Sequence, residues 1–481
     1  MNLAILSSEL AVIGLALALL LMDLWTPRAF KHRLGYLAAA VLVVILALSY
    51  CGGSVSAPAA EGCSHMFIRD GLALFFKRIF LAAGIFVVLM AVEFRERIPM
   101  GIGEFFTITL IALAGMMFAA SANDFVMVYV AMEMMSVSFY VLVSFQRSRS
   151  NSLEAGVKYL ILSALAAAVL IFGIALVFGT SGRTNFAAVA AQATRLASNK
   201  AFWLGALLVL LGLAFKIAAV PMQMWAPDVY QGAPTPVTAF LAIGSKAAGF
   251  VLVLRVLFVA APALAQHWGK LLAWTAALTI LYGNLCAIPQ RSLKRLLGYS
   301  SIANAGYLLL GVAALNVSGS VAVLYYLAGY AFTLAVVFVV LCVVARENDD
   351  IAVLAGLNRR SPLLALALTL GMISLAGVPP LAGFFGKLLL LEAILERAAA
   401  DRMYLWLTLT AIAGVVISYY YYFGVIRAVY WSEAGPETPP IAVSGPMKIS
   451  VGVCIAAMLY LGIFPNEVLS AAAEAVKALR F

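Results

Sequence analysis

Four ionisable residues stand inside runs of sequence that are otherwise almost wholly apolar. Glu133 lies in FVMVYVAMEMMSVSFYVLV, Lys216 in LVLLGLAFKIAAV, Lys246 in TAFLAIGSKAAGFVLVL and Lys387 in AGFFGKLLLL. A charge at mid-bilayer costs about 2.5 to 3.5 kcal/mol even on the lenient insertion scale, so each of them asks for a reason. Low dielectric disfavours the charged form of a lysine, and a nearby carboxylate restores it. A carboxylate such as Glu133, moved closer to Lys216 or further from it, would load or release a proton. Lys246 and Lys387 would then carry protons onward through ordered water. The chemistry is proton transfer. Lys158, in SLEAGVKYLILSALAAA, stands at the start of its run, where a lysine can snorkel to the interface, and is a weaker candidate. The plain alternative is that these charges pair statically and hold helices together.

The elements that carry these residues are membrane spans. Of 481 residues, 65% are hydrophobic and 11% charged, with a mean hydropathy of +1.05, far from the balance of a water-soluble globular chain. Fourteen runs are long enough to cross about 30 Å of hydrocarbon, at roughly 20 residues each. They cover residues 3–22, 34–51, 71–92, 103–122, 125–145, 157–179, 202–221, 236–260, 271–289, 299–316, 318–345, 361–395, 403–426 and 449–464. Such runs are too long and too uniformly apolar for barrel strands, so the expected fold is all-α, a polytopic helix bundle. The first run lacks a basic start, contains Glu9, and is followed by Asp23, Leu24 and Trp25 where a cleavage site would need small residues. It reads as a retained helix rather than a signal peptide.

Proline interrupts two spans, and a break inside a membrane helix frees backbone groups that only a protein or water-lined interior can satisfy. One break follows Lys216 in LAFKIAAVPMQMWAPD, with Pro221 and Pro227; the other precedes Lys387 in SLAGVPPLAGFFGKLLL, with Pro379 and Pro380. Interrupted helices in corresponding halves point to an inverted-repeat transporter. The broken spans are the seventh and the twelfth. This predicts two inverted five-helix repeats, over 103–260 and 261–430, preceded by a three-helix segment (1–102) and followed by a C-terminal helix and tail (431–481). The polar stretch 184–199 could form a short helix lying at the outer interface or serve as a plain connector.

The net charge of +10 suggests no nucleic-acid partner, because the basic residues are spread in ones to threes among the loops and form no dense cluster. They report topology instead. Loops after odd-numbered spans hold about twice as many Lys and Arg as loops after even-numbered ones, including Arg28, Lys31, Arg33, Arg95, Arg97, Arg291, Lys294 and Arg295, which places the odd loops in the cytoplasm and both termini outside. Cys51, Cys63, Cys286, Cys342 and Cys454 are scattered without C-x-x-C spacing, and His32, His65 and His267 fall in separate loops, so no metal or iron–sulfur site is indicated. Cys51 and Cys63 flank one outer loop and could pair. The run Gly383 to Leu388 is rejected as a phosphate-binding loop, because Leu381 and Leu388 stand where Gly and Ser or Thr are required.

At WAPDVYQGAPTPVTAFLAIGSK, residues 225–246, the chain resembles the antiporter-like membrane subunits of respiratory complex I, the proton-translocating NADH:quinone oxidoreductase. EAGVKYLILSALAAAVLIFGIALVFG from Glu154, RSLKRLLGYSSIANAGYLLLG from Arg291 and SLAGVPPLAGFFGKLLLL from Ser374 extend the likeness over roughly residues 70–430. The PDVYQGAP wording with Tyr230, the lysine at position 387 and the absence of a long lateral helix are most similar to subunit N, counterpart of mitochondrial NADH dehydrogenase subunit 2. The resemblance implies that Glu133, Lys216, Lys246 and Lys387 translocate protons, with Lys158 and Lys294 accessory. It also implies no cofactor on this chain, since flavin, iron–sulfur clusters and quinone belong to partner subunits. The implied partners are lipid and the other membrane subunits, among them the homologous subunit M and the small subunits beside the quinone module, in a bacterial inner membrane. Two positions depart from the family pattern, Gln223 and Asn304, where relatives often carry histidine; there an amide plus water must serve. A subunit of a multi-subunit cation/proton antiporter and a non-conducting scaffold are the alternative readings.

Overall fold

The computed structural model describes residues 3–51, 59–62, 65–98, 101–196, 198–345, 348–432 and 439–479. Helices α1 (Ser7–Trp25), α2 (His32–Cys51) and α3 (Gly71–Glu93) are followed by α4 (Ile102–Ala120), α5 (Phe125–Val143) and α6 (Ser150–Ser181). A short α7 (Phe186–Leu196) precedes α8 (Lys200–Ile217), α9 (Trp225–Gly232), α10 (Thr235–Phe240) and α11 (Lys246–Arg255). Then come α12 (Pro262–Ala287), α13 (Leu293–Ala313), α14 (Val317–Val344), α15 (Leu357–Arg360), α16 (Pro362–Ala376) and α17 (Ala382–Ala400). The chain ends in α18 (Met403–Trp431), α19 (Gly445–Ile463) and α20 (Asn466–Val476). Helices dominate because lipid offers the backbone no hydrogen bonds, so each span must satisfy its own.

Among the described residues, thirteen segments are long and apolar enough to cross a membrane. The remaining expected span is the twelfth, the second of the two broken ones. Its first half, Pro362–Ala376, is too short to cross alone, and α17 continues it after the break. The stretch expected to be either a connector or a short helix contains a helix, α7. The possible pairing of Cys51 with Cys63 falls outside the described residues, because Cys63 is not among them. The segment Gly383–Leu388 is helical, the start of α17 rather than a loop.

Hydrogen bonds between loops define two faces. On one, the hairpin of strands β1 (Ala60–Gly62) and β2 (Phe67–Arg69) meets the α4–α5 turn through Ile68 N–H to Ser121 O at 2.9 Å. That turn meets the α6–α7 loop through Phe125 N–H to Thr184 O at 3.0 Å. On the other face Gln146 donates to Arg97 O at 3.0 Å, Arg97 to Cys342 O at 3.2 Å and Ser444 to Glu93 at 2.7 Å. There too Leu293 N–H reaches Asp349 O at 2.6 Å and Ile441 N–H reaches Arg360 O at 3.0 Å. Loops after even-numbered spans therefore gather on the first face and loops after odd-numbered spans on the second, the alternation a multi-pass bundle requires.

Side-chain caps start several helices: Asp70 accepts from Ala73 N–H and Asp124 from Val126 N–H, each at 2.8 Å, while Asn316 accepts from Gly319 N–H at 2.8 Å. Helices α10, α11, α13 and α14 form the centre, and α11 carries Lys246. The membrane windows of α10–α11 and α13 are wholly buried, and that of α14 is nearly so, at 94%.

Candidate functional site

The two breaks share one local geometry. Helix α8 ends at Ala218, whose φ is 56°, with Ala219 N–H donating back to Ala214 O at 3.0 Å. Helix α16 ends at Gly377, φ 84°, with Val378 N–H donating to Ile373 O at 3.2 Å. In each, a left-handed residue reverses the chain and a bond from the next residue closes the last turn. Glycine suits that conformation; Ala218 adopts it at a steric cost. Both breaks contain a cis proline, at Val220–Pro221 and Pro379–Pro380.

A helix that stops at mid-membrane leaves carbonyls unsatisfied, and this chain fills them with side chains. Trp225 Nε1 donates to Phe215 O at 2.8 Å across the first break. At the second break the ammonium of Lys387 does so, donating to Leu375 O at 2.7 Å and Ala376 O at 3.3 Å. A cation at the negative end of a half-helix is favourably placed. Its other side faces the Tyr307 ring, whose centroid is 4.8 Å away.

Lys216, on the last turn of α8, is 1% exposed. Its Nζ donates to Ser136 Oγ on α5 at 2.9 Å and to Tyr159 OH on α6 at 3.2 Å. Glu133 lies one turn before Ser136, half-buried and within electrostatic reach of Lys216. The expected approach of the two charges stops short of contact, because among the described residues no ion pair joins them. Two neutral hydroxyls hold the ammonium instead.

Lys246 follows a π-helical turn at Leu241–Ser245, a widening often found at functional sites. Its Nζ donates to the carbonyl and the hydroxyl oxygen of Ser301 on α13, and it stands 5.6 Å from the Tyr330 ring centroid. Ser301 Oγ also meets Tyr230 OH at 3.0 Å. Gly249, one turn beyond Lys246, lets α11 pack closely on α8; a Cβ there would lie 3.2 Å from Lys216 Cβ. The backbones of the first two lysines are thus neighbours.

Helix α13 supplies the link to the third. Ser300, Ser301, Asn304 and Tyr307 recur at helical spacing on a helix that is wholly buried from Ser300 to its end. Asn304 Nδ2 donates to Ser300 O at 2.9 Å, Tyr326 OH donates to Asn304 Oδ1 at 2.5 Å, and Ser300 Oγ meets Tyr422 OH. A polar row therefore begins at Ser301 beneath Lys246 and ends at Tyr307 beneath Lys387. Asn304 stands in its middle. Gln223, the other amide position, is buried in the first break.

The two weaker candidates sit at the second face. Lys158 is 42% exposed and pairs with Glu154 and Asp228, each at 2.8 Å. Arg295 also binds Asp228, at 2.6 Å. Together with Asn151 and Gln231 these residues line a cleft of about 150 Å³ at the foot of α9. Lys294 is buried and caps the end of α9, donating to Ala233 O at 2.8 Å and Gln231 O at 3.4 Å.

Two further buried ion pairs were not singled out from the sequence. Lys77 of α3 binds Glu9 of α1 at 2.6 Å, and Arg255 of α11 binds Asp70 at 2.7 Å while its Nε donates to Ala120 O at 2.8 Å. Glu9, Lys77 and Arg255 all lie inside predicted spans, so the criterion that found Lys216 applies to them equally. Among the described residues, no group of three or more His, Cys, Asp or Glu is placed to hold a metal ion.

Residues 122–417 match the family described as NADH:quinone oxidoreductase/Mrp antiporter, TM. The NADH-quinone oxidoreductase subunit N of Moorella thermoacetica is 38% identical over 467 residues, which cover 97% of this chain and 96% of that one. A chain of respiratory complex I from Thermus thermophilus superposes with a TM-score of 0.81 at 33% identity, covering 97% of this chain and 99% of its own. A chain of the Mrp complex from a Dietzia species superposes with a TM-score of 0.86 at 20% identity, covering 100% and 98%, a likeness of fold alone.

Proposed function

The chain belongs to the NADH:quinone oxidoreductase/Mrp antiporter transmembrane family, with subunit N sequences as its near relatives, and from that premise we propose how it moves protons. It acts as a proton-translocating membrane subunit of an NADH:quinone oxidoreductase. One observation carries the mechanism: Lys216 and Lys246 are buried against hydroxyls and backbone rather than carboxylates, and Lys387 against backbone and an aromatic face. A hydroxyl accepts from an ammonium and donates to a neutral amine equally well, so a lysine held this way can lose and regain its proton without breaking an ion pair. A lysine fixed to a carboxylate would keep its charge.

Glu133 sets the affinity of Lys216 for its proton by its distance, and the proton passes by way of Lys246 and the α13 row to Lys387. Ser245 Oγ, beside Lys246, is buried with no partner among the described residues, which suits an ordered water in that path. Lys158 and Lys294 are accessory, the first in the charged cleft and the second as an anchor of α9. Residues 103–260 and 261–430 act as the two repeats, with 1–102 and 431–481 flanking them.

Quinone reduction elsewhere in the complex supplies the energy, as a shift in the electrostatics at Glu133 and Lys216. Flavin, iron–sulfur clusters and quinone reside on partner subunits, and this chain sits in a bacterial inner membrane beside the homologous subunit M and the small subunits next to the quinone module. The second face is cytoplasmic and both termini are periplasmic.

The test is Lys216→Ala in the whole complex, reconstituted in vesicles. Proton uptake through this subunit is lost while the complex assembles and oxidises NADH. An assembled variant that pumps with undiminished stoichiometry refutes the assignment.

A further inference from the structure

We propose that a cleft on the second face is the water inlet of the α13 row. The cleft encloses about 550 Å³ between the α12–α13 turn, the loop after α14 and the last turns of α18, where Gln290, Ala352 and Arg427 line it. Its role rests on the proposed proton path, because only a row that carries protons needs water between its amide and its hydroxyls. Tyr421 also lines the cleft, and its hydroxyl donates to Asn284 Oδ1 at 2.9 Å. Asn284 is wholly buried. Its Nδ2 and the Tyr307 hydroxyl converge on one bare glycine, since a Cβ on Gly414 would lie 3.0 Å from the first and 2.7 Å from the second. Two polar atoms that close to one point are bridged directly or by a single water. Tyr307 is the end of the row, beneath Lys387.

These steps lead from the second face into the bundle. Tyr421 is ten residues before the end of α18 at Trp431, and Tyr307 is fourteen past the start of α13 at Leu293, both ends lying on that face. Along the helix axes this is about 15 Å and about 21 Å. What the inlet admits follows from its side chains. A hydroxyl and an amide each both donate and accept, so they hand a neutral water onward without ionising. Arg427, exposed one turn before the end of α18, stands at the mouth, and no carboxylate lines the cleft among the described residues. A positive charge at the entrance of a water path repels hydronium while water passes. Water therefore enters the row from this face, and protons in the row do not slip back to it.

The experiment uses the intact complex in vesicles with the second face outward and maps internal water by X-ray hydroxyl-radical labelling. Expected in the unaltered complex is labelling of Tyr307 and Tyr326, although both are buried. Ala352→Cys, capped with a bulky, membrane-impermeant thiol reagent, should lose that labelling and pump less. The unaltered complex given the same reagent is the control and should keep both. Arg427→Glu should keep the labelling but let the pumped gradient decay faster once NADH is exhausted. Labelling that survives the cap overturns the inlet and leaves the proton path standing. Absence of labelling in the unaltered complex means a dry row and overturns both. An unchanged decay in Arg427→Glu overturns the exclusion of protons at the mouth. Should Ala352→Cys fail to assemble, the same cap on Gln290→Cys decides.

Discussion

Ser136 Oγ stands 2.9 Å from Lys216 Nζ, one turn past Glu133 on the same helix. Any motion of α5 that brings Glu133 towards Lys216 must therefore change the Ser136 contact as well. The serine is a neutral acceptor that competes with the carboxylate for the same ammonium. This coupling is a property of helical spacing, since residues three apart share a face.

Ser136→Ala removes that acceptor and leaves Tyr159 to hold the ammonium. A hydrogen bond to a charged group contributes about 1.5 to 3 kcal/mol, so proton pumping should fall by about tenfold or more while NADH oxidation by the assembled complex continues. Ser136→Thr keeps a hydroxyl and should restore most of it. Pumping by Ser136→Ala at the unaltered rate, measured in vesicles with a pH-sensitive dye, removes the hydroxyl from the mechanism.

Asp228 ties α9 to its neighbours through Lys158 of α6 and Arg295 of α13. These side chains are about a third exposed, and exposed ion pairs contribute only about 0.2 to 1 kcal/mol each. Asp228→Asn removes two such pairs, together about 0.4 to 2 kcal/mol, and should lower pumping by less than about thirtyfold, with a deficit that changes with ionic strength, as screened charges do. A complete loss, insensitive to salt, would assign Asp228 a place in the proton path instead.

Asn304 is the midpoint of the α13 row, with Tyr326 OH and Ser300 O as its partners. Asn304→Leu leaves the buried Tyr326 hydroxyl without this acceptor, at about 1 to 3 kcal/mol, and interrupts the row between Lys246 and Lys387. Pumping should be largely lost. Asn304→His retains a donor and an acceptor in the same place and should pump. Comparison of the two, at matched complex content, separates a relay from a spacer; equal pumping by both means that the row carries no protons.

Lys216, Lys246 and Lys387 were legible in the sequence because a lone lysine in an apolar run has few structural explanations, and the prolines beside two of them marked the breaks. Their partners were not. Ser136, Tyr159, Ser301 and Tyr307 are unremarkable residues of apolar helices, and only the packing of α5, α6 and α13 against α8, α11 and α17 gives them a role. The π-helical turn before Lys246 has no sequence signal, since LAIGS is as compatible with a regular helix. Lys158 stands at the start of its predicted span, and the structure leaves it partly exposed. Glu9 and Lys77 meet the same criterion of a charge inside an apolar run, and what the sequence does not show is their approach across α1 and α3, which joins the two charges in one ion pair.

That pair permits the sharpest separation of structure from transport. Lys77 and Glu9 are in contact at 2.6 Å with side chains 4% and 0% exposed. Removing one partner of a buried pair strands the other charge, at about 3 to 5 kcal/mol, whereas replacing both by apolar groups is often neutral or better. Lys77→Met alone and Glu9→Leu alone should each lower the yield of assembled complex and its melting temperature in detergent. The double variant should recover both, with pumping per electron unchanged. If instead the double variant assembles fully but pumps less, the pair belongs to a proton route on the outer side, and α1 and α3 are part of the transport machinery.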